Sequence, residues 1–234
     1  MVSYTSFSAH RQIKRLASPA RAKILSRFFK TGPGDYGEGD KFAGLTVPQT
    51  RQLAKKFSEL LFTDLSKLLN SKIHEERLLA LLILVGRYEK NESEQEKIYR
   101  FYLQHAKQVN NWDLVDLSAD KIVGRHLLGR SIDPLLKLAR SKNLWERRMA
   151  VVATFQFIKH GRFQPTLKIV KILLSDEEDL IHKACGWMLR EIGKRNRPAL
   201  ENFLKSHILH MSRTTLRYAI EHFKPPQRRR YLLR

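Results

Sequence analysis

Apolar residues recur at spacings of three and four along nearly the whole chain, and no sustained alternation of β-branched residues interrupts them. The pattern therefore predicts helices throughout. Helix-start signals stand at Ser18-Pro19, Val47-Pro48, Thr63-Asp64, Asn110, Asn143 and Ser212. Only Thr31 to Gly44 lacks periodicity over a long stretch, and its glycines and proline predict a loop. Five similar helical stretches begin near His74, Asn110, Asn143, Leu180 and Ser212, at intervals of 36, 33, 37 and 32 residues. Further helices precede them, such as Glu92 to Gln108, Pro134 to Arg140 and Pro165 to Leu174. Helix pairs at this spacing predict an all-α chain, a HEAT-like α-solenoid of paired antiparallel helices forming a single domain over residues 1–234. The second helix of each pair is expected on a concave face that can receive an extended ligand.

Composition narrows the ligand. The chain has 234 residues with 44 Lys+Arg against 23 Asp+Glu, a formal charge of +21. Such an excess opposes compaction by self-repulsion unless an anionic partner uses it, which points to nucleic acid ahead of an anionic membrane surface. Residues 181 to 234 carry 13 of the cations and three acids, Glu191, Glu201 and Glu221. At 42% hydrophobic residues the chain has ample apolar surface to bury, which excludes a disordered class. The longest apolar run, Leu78 to Val85, lies between Arg77 and Arg87 and falls well short of the ~20 residues of a membrane span. The acid-free N-terminal stretch before Asp35 is read as an exposed basic first helix in preference to a transit peptide. The single cysteine, Cys185, excludes an intramolecular disulfide and suits a reducing, cytoplasmic location. His207 and His210 lack a third ligand, and GPGDYGEG lacks the Gly-Lys-Ser/Thr ending of a phosphate loop, so neither metal nor cofactor is expected.

Three helix faces carry candidate chemistry. In Leu180 to Arg195, Ile181, Cys185, Met188 and Ile192 form a core stripe, while Lys183, Trp187, Arg190 and Lys194 form a second stripe of one indole and three cations. Trp187 can be a core residue with snorkelling neighbours or part of a ligand-facing surface. Gly186 beside it is expected to leave room for a ligand. In the helix from Asn110, the N-cap places Asp113 at N3, where the helix dipole favours a carboxylate. Asp116 lies beyond that turn and at i+4 from Trp112, with Val115, Ser118 and Ile122 on the packing side. It is either an ordinary salt-bridge partner or a carboxylate meant for a cationic ligand. In Asn143 to Lys159, Trp145, Met149, Val152 and Gln156 share one side, and Arg147 and Arg148 sit near the N-terminal turn. There they are solvated surface groups or phosphate contacts.

Together these segments resemble the DNA alkylation repair glycosylases of the AlkD family. The matching pieces are Asn111-Trp112-Asp113-Leu114-Val115-Asp116, Trp145-Glu146-Arg147-Arg148 and Lys183 through Glu191. Upstream, Arg27-Phe28-Phe29-Lys30, Gly37 through Phe42 and Val47-Pro48 also look like the family. The resemblance implies hydrolysis of the N-glycosidic bond of cationic N3- or N7-alkylated purines in duplex DNA, without a base-flipping pocket. It implies Asp116 as the catalytic carboxylate, Trp112 and Trp187 as indoles cradling the deoxyribose, and Arg148 as a phosphate ligand. Arg147, Lys183, Arg190, Lys194 and Phe28 join the expected DNA-binding surface, Phe28 standing where the family often has Tyr and Asn111 where some members have an aromatic. A monomer in the bacterial cytosol or nucleoid is expected. The competing expectation is a non-catalytic HEAT-like protein that binds branched or distorted DNA.

Overall fold

The structure, a computed structural model, describes residues 4–233, and its named elements are all helices, with one isolated bridge between Lys41 and Ile73. It comprises two compact units, one ending at Ser118 and the other beginning at Ala119. None of the described helices is long and apolar enough to cross a membrane.

The first unit contains α1 (Ser6–Leu16), α2 (Pro19–Phe28), α3 (Val47–Lys56), α4 (Phe62–Leu69), α5 (His74–Lys90), α6 (Gln95–Gln104) and nearly all of α7 (Trp112–Ala119). Helix α5 is its core, buried from Leu78 to Leu81 and again from Ile83 to Val85, with α3 and α4 packed on it. Ser18 caps α2 ahead of Pro19, and Thr46 forms a reciprocal capping box with Gln49 at the start of α3. The expected start at Thr63-Asp64 is displaced. Helix α4 begins at Phe62 without a side-chain cap, because the Asp64 carboxylate instead accepts the Ser6 N–H and hydroxyl at 3.0 and 2.7 Å and ties α1 to α4.

The second unit continues through a π turn (Asp120–Gly124), α8 (Arg125–Leu127), α9 (Asp133–Ala139), α10 (Leu144–Ala153), α11 (Phe155–Lys159), α12 (Gln164–Ile172), α13 (Asp179–Arg195), α14 (Arg197–His207), α15 (Arg213–Ala219) and α16 (Pro225–Leu232). Helix α9 packs on α10, α12 on α13 and α14 on α13, while α10, α13 and α15 lie side by side in that order. The helices expected near His74, Asn110, Asn143, Leu180 and Ser212 begin at His74, Trp112, Leu144, Asp179 and Arg213.

The helix expected from Asn143 to Lys159 is two helices. Thr154 returns its hydroxyl to the Val151 carbonyl at 2.6 Å, a back-bond that bends the chain between α10 and α11. The π turn after α7 lies against α10 so closely that a Cβ on Gly124 would stand 2.1 Å from the Ala153 carbonyl oxygen.

Candidate nucleic-acid interface

In the first unit the glycine-rich loop is unlike a free loop. Glu75, at the head of α5, accepts the N–H groups of Ala43, Gly44 and Leu45 at 2.9, 2.7 and 3.1 Å. The Lys41 backbone is held on both sides, donating to Lys72 and accepting from His74 at 3.0 and 2.8 Å. This anchoring turns Asp40 and Phe42 inward. Asp40 accepts from Arg77 at 2.7 Å and from the Asn111 amide at 3.1 Å, and lies 3.4 Å from His74 Nδ1. His74 Nε2 lies 2.8 Å from Asp113. A carboxylate at each ring nitrogen favours the doubly protonated imidazole. Burial alone would lower the His74 pKa, but Asp113 and Asp40 outweigh it and raise it above the ordinary 6.5. Burial alone would raise Asp40, yet His74, Arg77 and Asn111 hold it below the ordinary 3.8.

A run of rings rests on this ionic base. His74 stacks on Phe42 with centroids 4.7 Å apart, Phe42 on Phe29 at 5.0 Å, and Phe29 on Trp112 at 5.1 Å with only 13° between planes. Phe28, 62% exposed, meets Trp112 edge-on at 5.8 Å. Trp112 opens α7 and is half-buried. Asp116, one turn later on the same face, is half-buried too, whereas Val115, Ser118 and Ile122 are fully buried behind them. The expected cap is shifted by one residue. The buried Asn111 side chain accepts the Trp112 N–H at 2.8 Å, so α7 begins at Trp112 and Asp113 belongs to the His74 pair more than to the helix dipole.

In the second unit, Ile181, Cys185, Met188 and Ile192 form the buried stripe of α13. Burial pushes the Cys185 thiol far above its usual range, so it is an inert core group. Trp187 is half-buried and meets Phe155 at 5.8 Å. Lys159 and Arg195 lie over the same Phe155 ring at 4.3 and 5.8 Å, and Lys159 also binds Asp120 at 2.7 Å. The expected cationic stripe brings its own counter-ions. Lys183 pairs with Asp179 at 2.7 Å, Arg190 with Glu221, and Lys194 with Glu191 at 2.7 Å, where Arg195 joins at 2.9 Å.

Three sequence expectations change here. Gly186 serves helix packing and leaves no room for a ligand, since a Cβ there would lie 2.4 Å from Tyr218 Cβ and 2.7 Å from the Thr215 carbonyl oxygen of α15. Arg147 is engaged internally. Its guanidinium grips Asp176 at 2.6 and 3.3 Å and donates to the Ser141 and Lys142 carbonyls, so a phosphate contact would break a bidentate pair. Arg148 is only 5% exposed and donates to the Leu180 carbonyl at 2.6 Å, linking α10 to the start of α13.

Phe29, Asp40, Phe42, His74 and Arg77 have no role that the sequence pattern alone reveals. A signal was present: His74-Glu75-Glu76-Arg77 is a charge run heading the helix that holds the longest apolar run, and all four residues are buried. In the fold these charges find partners on the loop from Thr31 to Gly44, on the start of α7 and, for Glu76, on His10 of α1.

The described residues thus form paired helices that present aromatic and ionic groups. A family model of DNA alkylation repair enzymes matches residues 9–223, and the chain belongs to that family. A solved structure from Enterococcus faecalis, described as a predicted DNA alkylation repair enzyme, is similar over 89% of this chain and 97% of that one, with a TM-score of 0.67 at 20% identity. The smu.31 protein of Streptococcus mutans UA159 is similar over 94% of this chain and 98% of its own, with a TM-score of 0.53 at 16% identity. At these identities the two structures speak for the fold. No curated protein matches the chain significantly. Membership in the family supports a role in DNA repair.

Proposed function

We propose that the protein is a monofunctional DNA glycosylase that hydrolyses the N-glycosidic bond of cationic N3- or N7-alkylated purines, of the 3-methyladenine and 7-methylguanine type, in duplex DNA. The observation that carries this reading is Trp112 and Asp116 one turn apart on α7, with the indole seated on Phe29 above a buried ionic base. Ordinary glycoside hydrolysis uses two carboxyl groups, one to protonate the leaving group. An alkylated purine is already cationic and departs neutral, so one carboxylate suffices. Asp116 stabilises the positive charge that develops on the sugar and orients the attacking water. The Trp112 face adds cation–π attraction of about 0.5–2 kcal/mol.

In this reading Trp187 presents a further indole to the sugar–phosphate backbone. Lys183, Arg190 and Lys194 contact phosphates and Phe28 contacts the DNA, while Arg148 holds α10 to the start of α13 beneath that surface. Chemistry that approaches from the backbone side requires neither a base-flipping pocket nor a cofactor, and the active form is a monomer with HEAT-like repeats.

The test is incubation with duplex DNA containing 7-methylguanine, scoring free base and abasic sites. The native chain releases the base, and Asp116→Asn loses release while still binding DNA. Unchanged release by the variant would remove Asp116 from the reaction. A native chain that binds but releases nothing would replace the enzyme with a binder of distorted DNA.

A further inference from the structure

The C-terminal arginine run Arg228-Arg229-Arg230 does not present three equivalent cations. Helix α16 is clamped at both ends: Arg197 donates to Gln227 at 2.8 Å, and Arg213 donates to the Leu232 carbonyl at 3.1 Å. This fixes the rotation of the helix. Arg228 faces an open pocket of about 600 Å³ whose walls come from α13, α15 and α16 of the second unit, while Arg230 lines a different one beside Glu201 and Lys205. The first pocket gathers Lys183, Arg190, Arg217 and Arg228 around a single carboxylate, Glu221, with Thr214 and Tyr218 completing its wall.

Four cations in one concavity repel one another unless an anion sits among them. Within the protein Glu221 partly fills that place by pairing with Arg190. Its own pKa is lowered, first by the Arg190 hydrogen bond and further by the nearby charges of Arg190, His222 and Arg228. Lys183 has a counter-ion in Asp179, but Glu221 is the only acid lining the pocket, so the cations outnumber the internal anion. The Arg228 Nε has no hydrogen-bond acceptor, so turning this guanidinium toward a ligand sacrifices no internal bond there. The walls are polar apart from the Tyr218 ring, which suits a hydrated anion better than an apolar protein segment.

We propose that this pocket is a binding site for a backbone phosphate of duplex DNA, held by Arg217 and Arg228 together with Arg190, and that Glu221 occupies the anion position until the phosphate displaces it. The site deepens the proposed function and rests on its DNA-binding half. Lys183 and Arg190 flank Trp187 on the same face of α13, at i−4 and i+3, so the phosphate belongs to the stretch of strand that passes this indole.

The experiment is fluorescence anisotropy with an undamaged labelled duplex over a series of salt concentrations. The Arg217→Ala/Arg228→Ala double variant is expected to lower the slope of log K against log salt by about two units, and Arg217→Gln alone by about one. Glu221→Gln is expected to tighten binding several-fold at low salt, because the internal competitor is gone. An unchanged slope in both arginine variants would overturn the site, and weaker or equal binding by Glu221→Gln would overturn the displacement step. Loss of inorganic pyrophosphate binding in the double variant with an unchanged DNA slope would make this a small-anion pocket and overturn the assignment to DNA. Because the duplex is undamaged, a native chain that binds it with the expected slope yet never releases an alkylated base would defeat the glycosylase reading and leave the pocket standing.

Discussion

Trp112 and Trp187 are held in opposite ways. Trp112 stands on a column of rings whose foot is a buried ionic cluster, with Asp40, His74 and Arg77 all at or below 5% side-chain exposure. Trp187 leans on one partly exposed ring and is bordered by surface cations, each with a carboxylate beside it. The first arrangement resists reorganisation, because every buried charge would lose a partner if it moved. The second exchanges ions more readily at Lys183 and Arg190, whose carboxylates Asp179 and Glu221 are exposed, because such pairs are screened and individually weak. A rigid platform suits a charge that must be met in a fixed place. An exchangeable surface suits a polyanion that arrives and leaves.

The contrast breaks most sharply at Arg77. Replacing it with alanine leaves Asp40 buried without its guanidinium, and the chain should lose about 3–5 kcal/mol in chemical denaturation. Next comes chemistry on the Trp112 side. Removing the negative charge in Asp116→Asn should slow base release about 100- to 1,000-fold, equivalent to about 2.7–4 kcal/mol, in single-turnover assays with folding intact. On the Trp187 side the firm element is backbone packing, so Gly186→Ala should cost about 1–3 kcal/mol by forcing α13 off α15, read as a lowered melting temperature.

A pH series sharpens the comparison further. His74 has a raised pKa, so its contribution is complete below 6.5 and fades as pH climbs through the elevated value. Asp40 has a lowered pKa, so its contribution is present above 3.8 and fades as pH falls through the depressed value. The stability difference between the native chain and His74→Gln should therefore be largest in the window between these limits and shrink on the alkaline side. The smallest effect belongs to the exposed pair of Lys183 with Asp179: Lys183→Ala should change stability by less than about 1 kcal/mol, and less still at high salt.

Legibility from sequence followed the kind of interaction. Helix pairing was legible because a buried face imposes a spacing of three and four residues that any window displays, and the capping residues Ser18, Asn143 and Ser212 act on neighbours in the chain. Trp112 and Asp116 share a face by periodicity alone. Gly186 was misread because a glycine is equally consistent with an approaching ligand and an approaching helix, and only Tyr218 and Thr215 decide between them. Arg147 was misread for a similar reason: its partner Asp176 lies 29 residues away.

The sequence by itself determined an all-α chain of recurring helix pairs, a strong positive charge, and a carboxylate, Asp116, one turn from Trp112, since each depends on composition, on intervals shorter than two helical turns, or on the recurrence of such intervals along the chain. The tertiary structure decided which charges are buried, which cations are already paired, and what each tryptophan rests on. Those outcomes depend on pairs far apart in the chain, such as Asp40 with Arg77 and Arg190 with Glu221, whose energies exist only once folding has removed water and brought the partners within reach.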